Sequence, residues 1–298
     1  MIKKYQFSKF LKTGLFLLLI TFSFMAAAHT KKANKTGILL VSFGSSYPET
    51  RATFQHIEEE VKATFPDLEI HWAFTSKIIR NKLRSRGETI DSPAEALAKM
   101  GEEGFTNVAV QSLHVIPGEE YENLKTTVEA FSGMPKGIDR VQLGKPLLYH
   151  QNDIENLGDV LLQNLPEGMV EGDVLVFMGH GTHHPANVYY PGMQYYLWEK
   201  NPNVFLATVE GYPELNQVIE KLETRKVNKV WLLPFMTIAG DHARNDMAGE
   251  EEESWKSVLE ARGYKTEAVL EGMADQDDVV RIWIEHLKDV LVELKSKK

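Results

Sequence analysis

The chain has 298 residues, a formal net charge of −9 and no cysteine. Disulfides and thiolate metal sites are therefore excluded, and the acidic balance argues against nucleic acid or an anionic membrane as a partner. An apolar content of 43% suits one large or two modest domains.

Residues 1–28 read as a leader. Lys3, Lys4, Lys9 and Lys12 precede an apolar stretch from Gly14 to Phe24, and Ala26-Ala27-Ala28 follows. A basic region, an apolar core of about 11 residues and an A-x-A site specify a cleaved secretory signal peptide. The stretch is short for a membrane span, which needs roughly 20 apolar residues. The mature chain is expected to begin near His29, to be periplasmic, and to have no stable membrane insertion after cleavage. Without the four leader lysines its charge falls to about −13, because the leader contains no acids. No phosphate-cradling Gly-rich loop with Lys-Ser/Thr is present, and ATP is scarce outside the cytoplasm, so no nucleotide is expected.

Past the leader, apolar runs alternate with helical periodicity. Gly37 to Phe43 reads as a buried strand, and Pro48 to Ala63 as a helix with Phe54, Ile57 and Val61 on one face. Ile70 to Thr75 is a second strand. Ser92-Pro93-Ala94-Glu95 gives an N-cap, Pro at the first helical position and a capping-box Glu, opening a helix that stops at Gly104. A strand at Asn107 to His114 and a helix at Tyr121 to Phe131 complete the first set. The second set has strands at Asp173–Gly179, Val204–Val209 and Lys229–Phe235, with helices at Ile154–Leu165, Glu214–Leu222, Glu250–Ala261 and Val279–Leu294.

The two sets are similar to one another. Gly37 to Gly44 resembles the run ending in Gly179, and Asn107 to Glu120 aligns without a gap on Lys229 to His242. Gly118 then falls on Gly240, Glu119 on Asp241 and Glu120 on His242. Strands alternating with helices imply parallel βαβ units in an α/β fold. The expectation is two three-layer α/β/α halves with parallel sheets, 37–145 and 146–298, related by a pseudo-two-fold with a cleft between them. The turn 144–152 links them, and the last helix, 279–294, is free to pack back on the N-terminal half.

The chemistry sits in loops directly after apolar runs. His180 lies in Gly179-His180-Gly181 and His242 follows Ala239-Gly240-Asp241. Both are placed at the carboxyl ends of strands, where open α/β sheets bind ligands. Neutral imidazoles there suit a divalent transition metal or proton transfer. The repeat puts Glu120 on the opposite wall of the cleft. Asp241 is a candidate to orient the second imidazole or to cap a helix, and His114, His183 and His184 are secondary candidates. Tyr189, Tyr190, Tyr195, Tyr196 and Trp198 could wall a planar ligand, fill a core or make a subunit contact.

These same segments carry a resemblance. Val41-Ser42-Phe43-Gly44-Ser45-Ser46-Tyr47, Ala73-Phe74-Thr75-Ser76, Val110-Gln111-Ser112-Leu113-His114, Pro117-Gly118-Glu119-Glu120-Tyr121, Val176 to Gly181 and Ala239 to Ala248 are similar to the anaerobic-type sirohydrochlorin cobaltochelatases, the CbiK family, across about Gly37 to Leu291. The resemblance implies a class II, ferrochelatase-like chelatase. Such an enzyme inserts Co2+, and in several members Fe2+, into the tetrapyrrole sirohydrochlorin without nucleotide, in cobalamin and porphyrin-type biosynthesis. It also implies metal-binding roles for His180 and His242, and Glu120 as the active-site glutamate at the metal. The export leader makes this an unusual member, and a homo-oligomer is expected. The alternative is a periplasmic metal- or haem-binding carrier that uses the same cleft.

Overall fold

Two successive apolar strands joined by a helix can bury both faces only in a parallel sheet covered on each side. That is how this chain folds, twice over. The computed structural model describes residues 34–296; the expected leader and its cleavage site lie outside the described residues. The first half runs β1 (Thr36–Ser42), α1 (Arg51–Thr64), β2 (Glu69–Phe74), α2 (Lys77–Ser85), α3 (Pro93–Glu102), β3 (Asn107–Ser112), α4 (Glu119–Phe131) and β4 (Arg140–Gly144). The second runs α5 (Gln151–Gln163), β5 (Val174–Gly179), α6 (Tyr189–Lys200), β6 (Val204–Thr208), α7 (Leu215–Leu222), β7 (Val230–Phe235), α8 (Trp255–Glu260), β8 (Thr266–Ala268) and α9 (Asp277–Ser296). The strand orders are β2-β1-β3-β4 and β6-β5-β7-β8, and every pairing is parallel. The repeated order is the structural counterpart of the repeated sequence.

Alternation along each strand sorts the cores. Ile38 and Leu40 of β1 face one side and Leu39 and Val41 the other, all fully buried. The first pair joins Ile57 and Val61 of α1, Leu157 and Leu161 of α5, Tyr190 and Met193 of α6, and Trp283 and Leu287 of α9 in one core that also holds Leu175 and Phe177 of β5. The outer faces are closed separately, by α3 and α4 over the first sheet and by α7 and α8 over the second. Since one core joins the inner faces of both sheets, the described residues from 35 to 296 form a single unit. The last helix, α9, lies against β3 and β4 of the first sheet.

Four elements have weak sequence signals. β4 and β8 are short edge strands, and α2 follows β2 within a basic segment. α6 contains Pro191 and Gly192, poor helix formers, and its helicity is fixed by packing of Tyr190, Met193 and Leu197. The acidic run Glu250–Glu253 is not helical as the sequence suggested. It forms an exposed bend, because Ser254 accepts from Ser257 N at 3.1 Å and starts α8 behind it. Among the described residues no helix is long and apolar enough to cross a membrane.

One buried polar contact staples α9 to the link between the halves. His286 Nε2 lies 3.3 Å from Asp153 Oδ1, and Asp153 Oδ2 accepts from Tyr149 N at 2.9 Å and His150 N at 2.7 Å. Burial alone would raise the Asp153 pKa, yet His286 and these amides hold it below the ordinary carboxylate value. A depressed folded pKa stabilises above the unfolded value, near 3.9, and that contribution is lost as pH falls through the folded value. His286→Ala should therefore cost about 2 kcal/mol at neutral pH, as for a hydrogen bond to a buried charge. Urea unfolding at pH 7 and pH 3 checks this: the gap between the two proteins should narrow at the lower pH, and an equal gap at both would remove the ionised carboxylate from the account.

Candidate metal centre

In each sheet the second strand forms on one side of the first and the third strand on the other. The reversal opens a crevice at the carboxyl ends of the two central strands. In the second sheet those strands are β5 and β7, and Gly179 at the end of β5 pairs with both Thr208 and Phe235. His180 follows the first strand and His242 lies seven residues beyond the second. Their rings meet with centroids 4.6 Å apart and planes at 89°.

A third group completes the cluster. Beyond β6 the backbone pairing continues for two residues, with Val209 N donating to Gly179 O at 3.1 Å and Glu210 N to His180 O at 2.8 Å. Glu210 is thereby set beside the imidazole, and one ligand atom from each of His180, Glu210 and His242 falls within 4.8 Å of the others. Gly181 makes this approach feasible. Its φ is +81°, and a Cβ there would sit 2.5 Å from Gly211 N and 2.8 Å from the Glu210 carbonyl carbon.

The imidazoles are oriented through their Nδ1 atoms. His180 Nδ1 is 2.9 Å from the Gly181 carbonyl oxygen, which can only accept, so Nδ1 carries the proton. His242 Nδ1 is 2.5 Å from Asp246 Oδ2, again an acceptor. In this tautomer the ring atom available to a metal is Nε2. Asp246 reaches His242 because it lies four residues further along a helical turn, where side chains at i and i+4 share a face; the following backbone bonds, over Ala243–Met247, have π-helical spacing. The sequence offered Asp241 for this task. Asp241 instead accepts from Tyr47 OH at 2.5 Å, linking the first half to the loop of His242. That bond heads the causes that raise the Tyr47 pKa, with burial second. The Tyr47 ring also has Arg244 at 5.3 Å and Lys82 at 5.5 Å.

Glu120 lies apart from this cluster. It is the second residue of α4, half-buried, and its repeat partner His242 likewise sits at the second position of the helical segment starting at Asp241. Among the described residues the ligand group at the paired imidazoles contains Glu210 and not Glu120. Glu210 was legible only as an acid at the end of a strand (Val204–Val209) that neighbours β5.

The remaining candidates resolve individually. His114 is half-buried, but its Nε2 is fully enclosed and has no hydrogen-bond partner, while Nδ1 is 2.8 Å from Ser112 Oγ. Burial drives its pKa down to about 4, so it is neutral at physiological pH. His184 accepts from Ala186 N at 3.2 Å and caps a short helical turn, and His183 is exposed. Of the aromatic cluster, Tyr190 is core, and Tyr195 and Trp198 are exposed on α6. A groove of about 770 Å³, lined by Phe54, Trp72, Phe74 and Ile90, contains none of the ligand residues.

Comparison with known proteins identifies the family. Residues 36–292 match the family described as Cobalt chelatase (CbiK). A sirohydrochlorin cobaltochelatase CbiKC of Nitratidesulfovibrio vulgaris (strain Hildenborough) is 41% identical over 253 residues, covering 85% of this chain and 89% of the relative. The sirohydrochlorin cobaltochelatase of Salmonella typhimurium (strain LT2) is 36% identical over 259 residues, covering 86% and 97%. In fold the chain resembles the sirohydrochlorin chelatase SirB of Bacillus subtilis subspecies spizizenii in complex with cobalt. The TM-score is 0.59 at 14% identity, over 88% of this chain and 98% of that one. With the match running from the first strand almost to the end of the last helix, the chain belongs to the CbiK cobalt chelatase family.

Proposed function

We propose that this protein inserts Co2+ into sirohydrochlorin. The observation that carries the reading is the His180–Glu210–His242 group at the strand-order reversal, in a chain of the cobalt chelatase family. Two neutral imidazoles and one carboxylate hold a divalent ion, and the exposed Glu210 leaves the set open on one side. An open set suits a metal that is delivered onward. Insertion replaces two pyrrolic protons by the metal, so two protons must be accepted. Glu120, across from His242 in the repeat, is the proposed acceptor of one, and an imidazole released by the departing metal accepts the other.

The macrocycle lies flat and is polyacidic. Phe43 is 45% and Ile78 80% exposed at the carboxyl edge of the first sheet, which supplies apolar surface there. Lys82 and Arg244 beside Tyr47 supply positive charge for the substrate's carboxylates. Fe2+ is a second proposed metal, since this donor set does not separate the two ions. No step in this scheme calls for a nucleotide. Export to the periplasm through the leader and self-association through the exposed Tyr195 and Trp198 of α6 belong to the same proposal.

The roles separate kinetically under anaerobic conditions, with loss of free sirohydrochlorin absorbance as the readout. His180→Ala and His242→Ala should each lower Co2+ insertion by more than about 100-fold, beyond the range for residues that only support a ligand. Near-normal rates in both would remove the site. Asp246→Ala should weaken Co2+ affinity by about 10- to 100-fold. Glu120→Gln should lower kcat by about 100-fold or more with the KM for Co2+ unchanged, as for a lost proton acceptor. Glu210→Gln should do the reverse and raise that KM; interchange of the two patterns would exchange their roles. Turnover beyond one equivalent distinguishes the enzyme from a carrier. N-terminal sequencing of the protein from its own cell envelope should begin near His29, and recovery with Met1 intact would end the export reading.

A further inference from the structure

A second cluster of metal-ligating groups lies at the opposite end of the first sheet. Glu69 and His71 are two residues apart on the edge strand β2 and so share a face. His71 packs edge-on against Phe105, on the side covered by α3, and this brings it to Glu103 at the C-terminal end of that helix. His71 Nε2 is 3.2 Å from Glu69 Oε1 and 3.8 Å from Glu103 Oε2. One ligand atom from each residue lies within 4.8 Å of the others.

Two independent features call for a cation there. His71 Nε2 is fully enclosed and makes no well-aligned hydrogen bond, although carboxylate oxygens stand 3.2 and 3.8 Å from it. Glu103 also occupies the C-cap of α3, the negative end of the helix dipole, where a carboxylate is disfavoured. The lysine of that last turn does not offset it, because Lys99 is bound to Asp91 at 2.6 Å. Lys35 takes only the far oxygen of Glu69, at 3.3 Å, leaving Oε1 toward His71.

We propose that Glu69, His71 and Glu103 bind a divalent transition-metal ion at a second site, separate from the catalytic group and not required for insertion. Ligand atoms around a tetrahedral ion with bonds near 2.1 Å stand about 3.4 Å apart, so the side chains need shift only slightly to close on it. The ion would tie the exposed edge strand β2 to the end of α3 and neutralise carboxylates gathered at a helix C-terminus.

The test uses the full-length, metal-stripped protein, with Co2+ alone as probe at pH 7.5, followed by calorimetry and thermal unfolding. The wild type should take up two equivalents. The His180→Ala/His242→Ala double variant should take up one and still gain thermal stability with Co2+. Adding His71→Gln to that background should abolish both the uptake and the gain. His71→Gln alone, or Glu103→Gln, should reduce uptake from two equivalents to one and leave sirohydrochlorin insertion at the wild-type rate. A double variant that binds no Co2+, or a triple variant that binds as much as the double, would overturn the proposal. It would leave a metal-independent ion pair of protonated His71 with its carboxylates.

Discussion

Both imidazoles of the candidate metal centre have an acceptor beside Nδ1, and the chemistry proposed for the cleft depends on this. Gly181 supplies a carbonyl oxygen for one and Asp246 a carboxylate for the other. A histidine free to rotate or change tautomer would offer the metal a lone pair for only part of the time. The two rings pack edge to face, with centroids 4.6 Å apart, and do not stack. The surrounding loops hold that arrangement: a positive-φ glycine stands beside His180, and a helical turn puts Asp246 four residues beyond His242 on the same face.

Duplication gave two crevices at two strand-order reversals, but the chemistry is divided unequally between them. Where the second half has His180, His242 and Glu210, the equivalent places in the first half hold Phe43, Glu120 and Ser76. The candidate metal ligands thus gather in the second half, and the proposed proton acceptor belongs to the first. The Tyr47–Asp241 bond crosses between the walls and ties the first crevice to the loop of His242. A metal moving into a macrocycle must lose its protein ligands while protons leave the ring.

The Glu69–His71–Glu103 cluster contrasts with this group in setting rather than in ligand type. It has one imidazole on an edge strand, backed by Phe105 and flanked by Lys35, far from any strand-order reversal. A cation held there would have no crevice for an organic partner. The same donors therefore suit retention at one place and transfer at the other, with the difference set by what the backbone leaves open.

The sequence by itself determined the architecture and named two of the three residues of the candidate metal group. Apolar runs buried on both faces require parallel strands with helices on each side, and the gapless internal match placed His242 and Glu120 at equivalent helix starts. His180 and His242 were legible because each follows such a run, where ligands bind. Tertiary structure alone decided the rest. Glu210 joined the candidate group through a backbone bond to His180, a pairing between residues 30 apart that no local pattern records. Asp246, and not Asp241, faces His242 Nδ1 because the helical turn after His242 puts residues four apart on one face, while Asp241 is held by Tyr47. α6 is helical against its own propensities because Tyr190, Met193 and Leu197 fill a core shared by both sheets. Periodicity reports which face of an element is apolar, but which side chains meet across elements is fixed only when those faces pack.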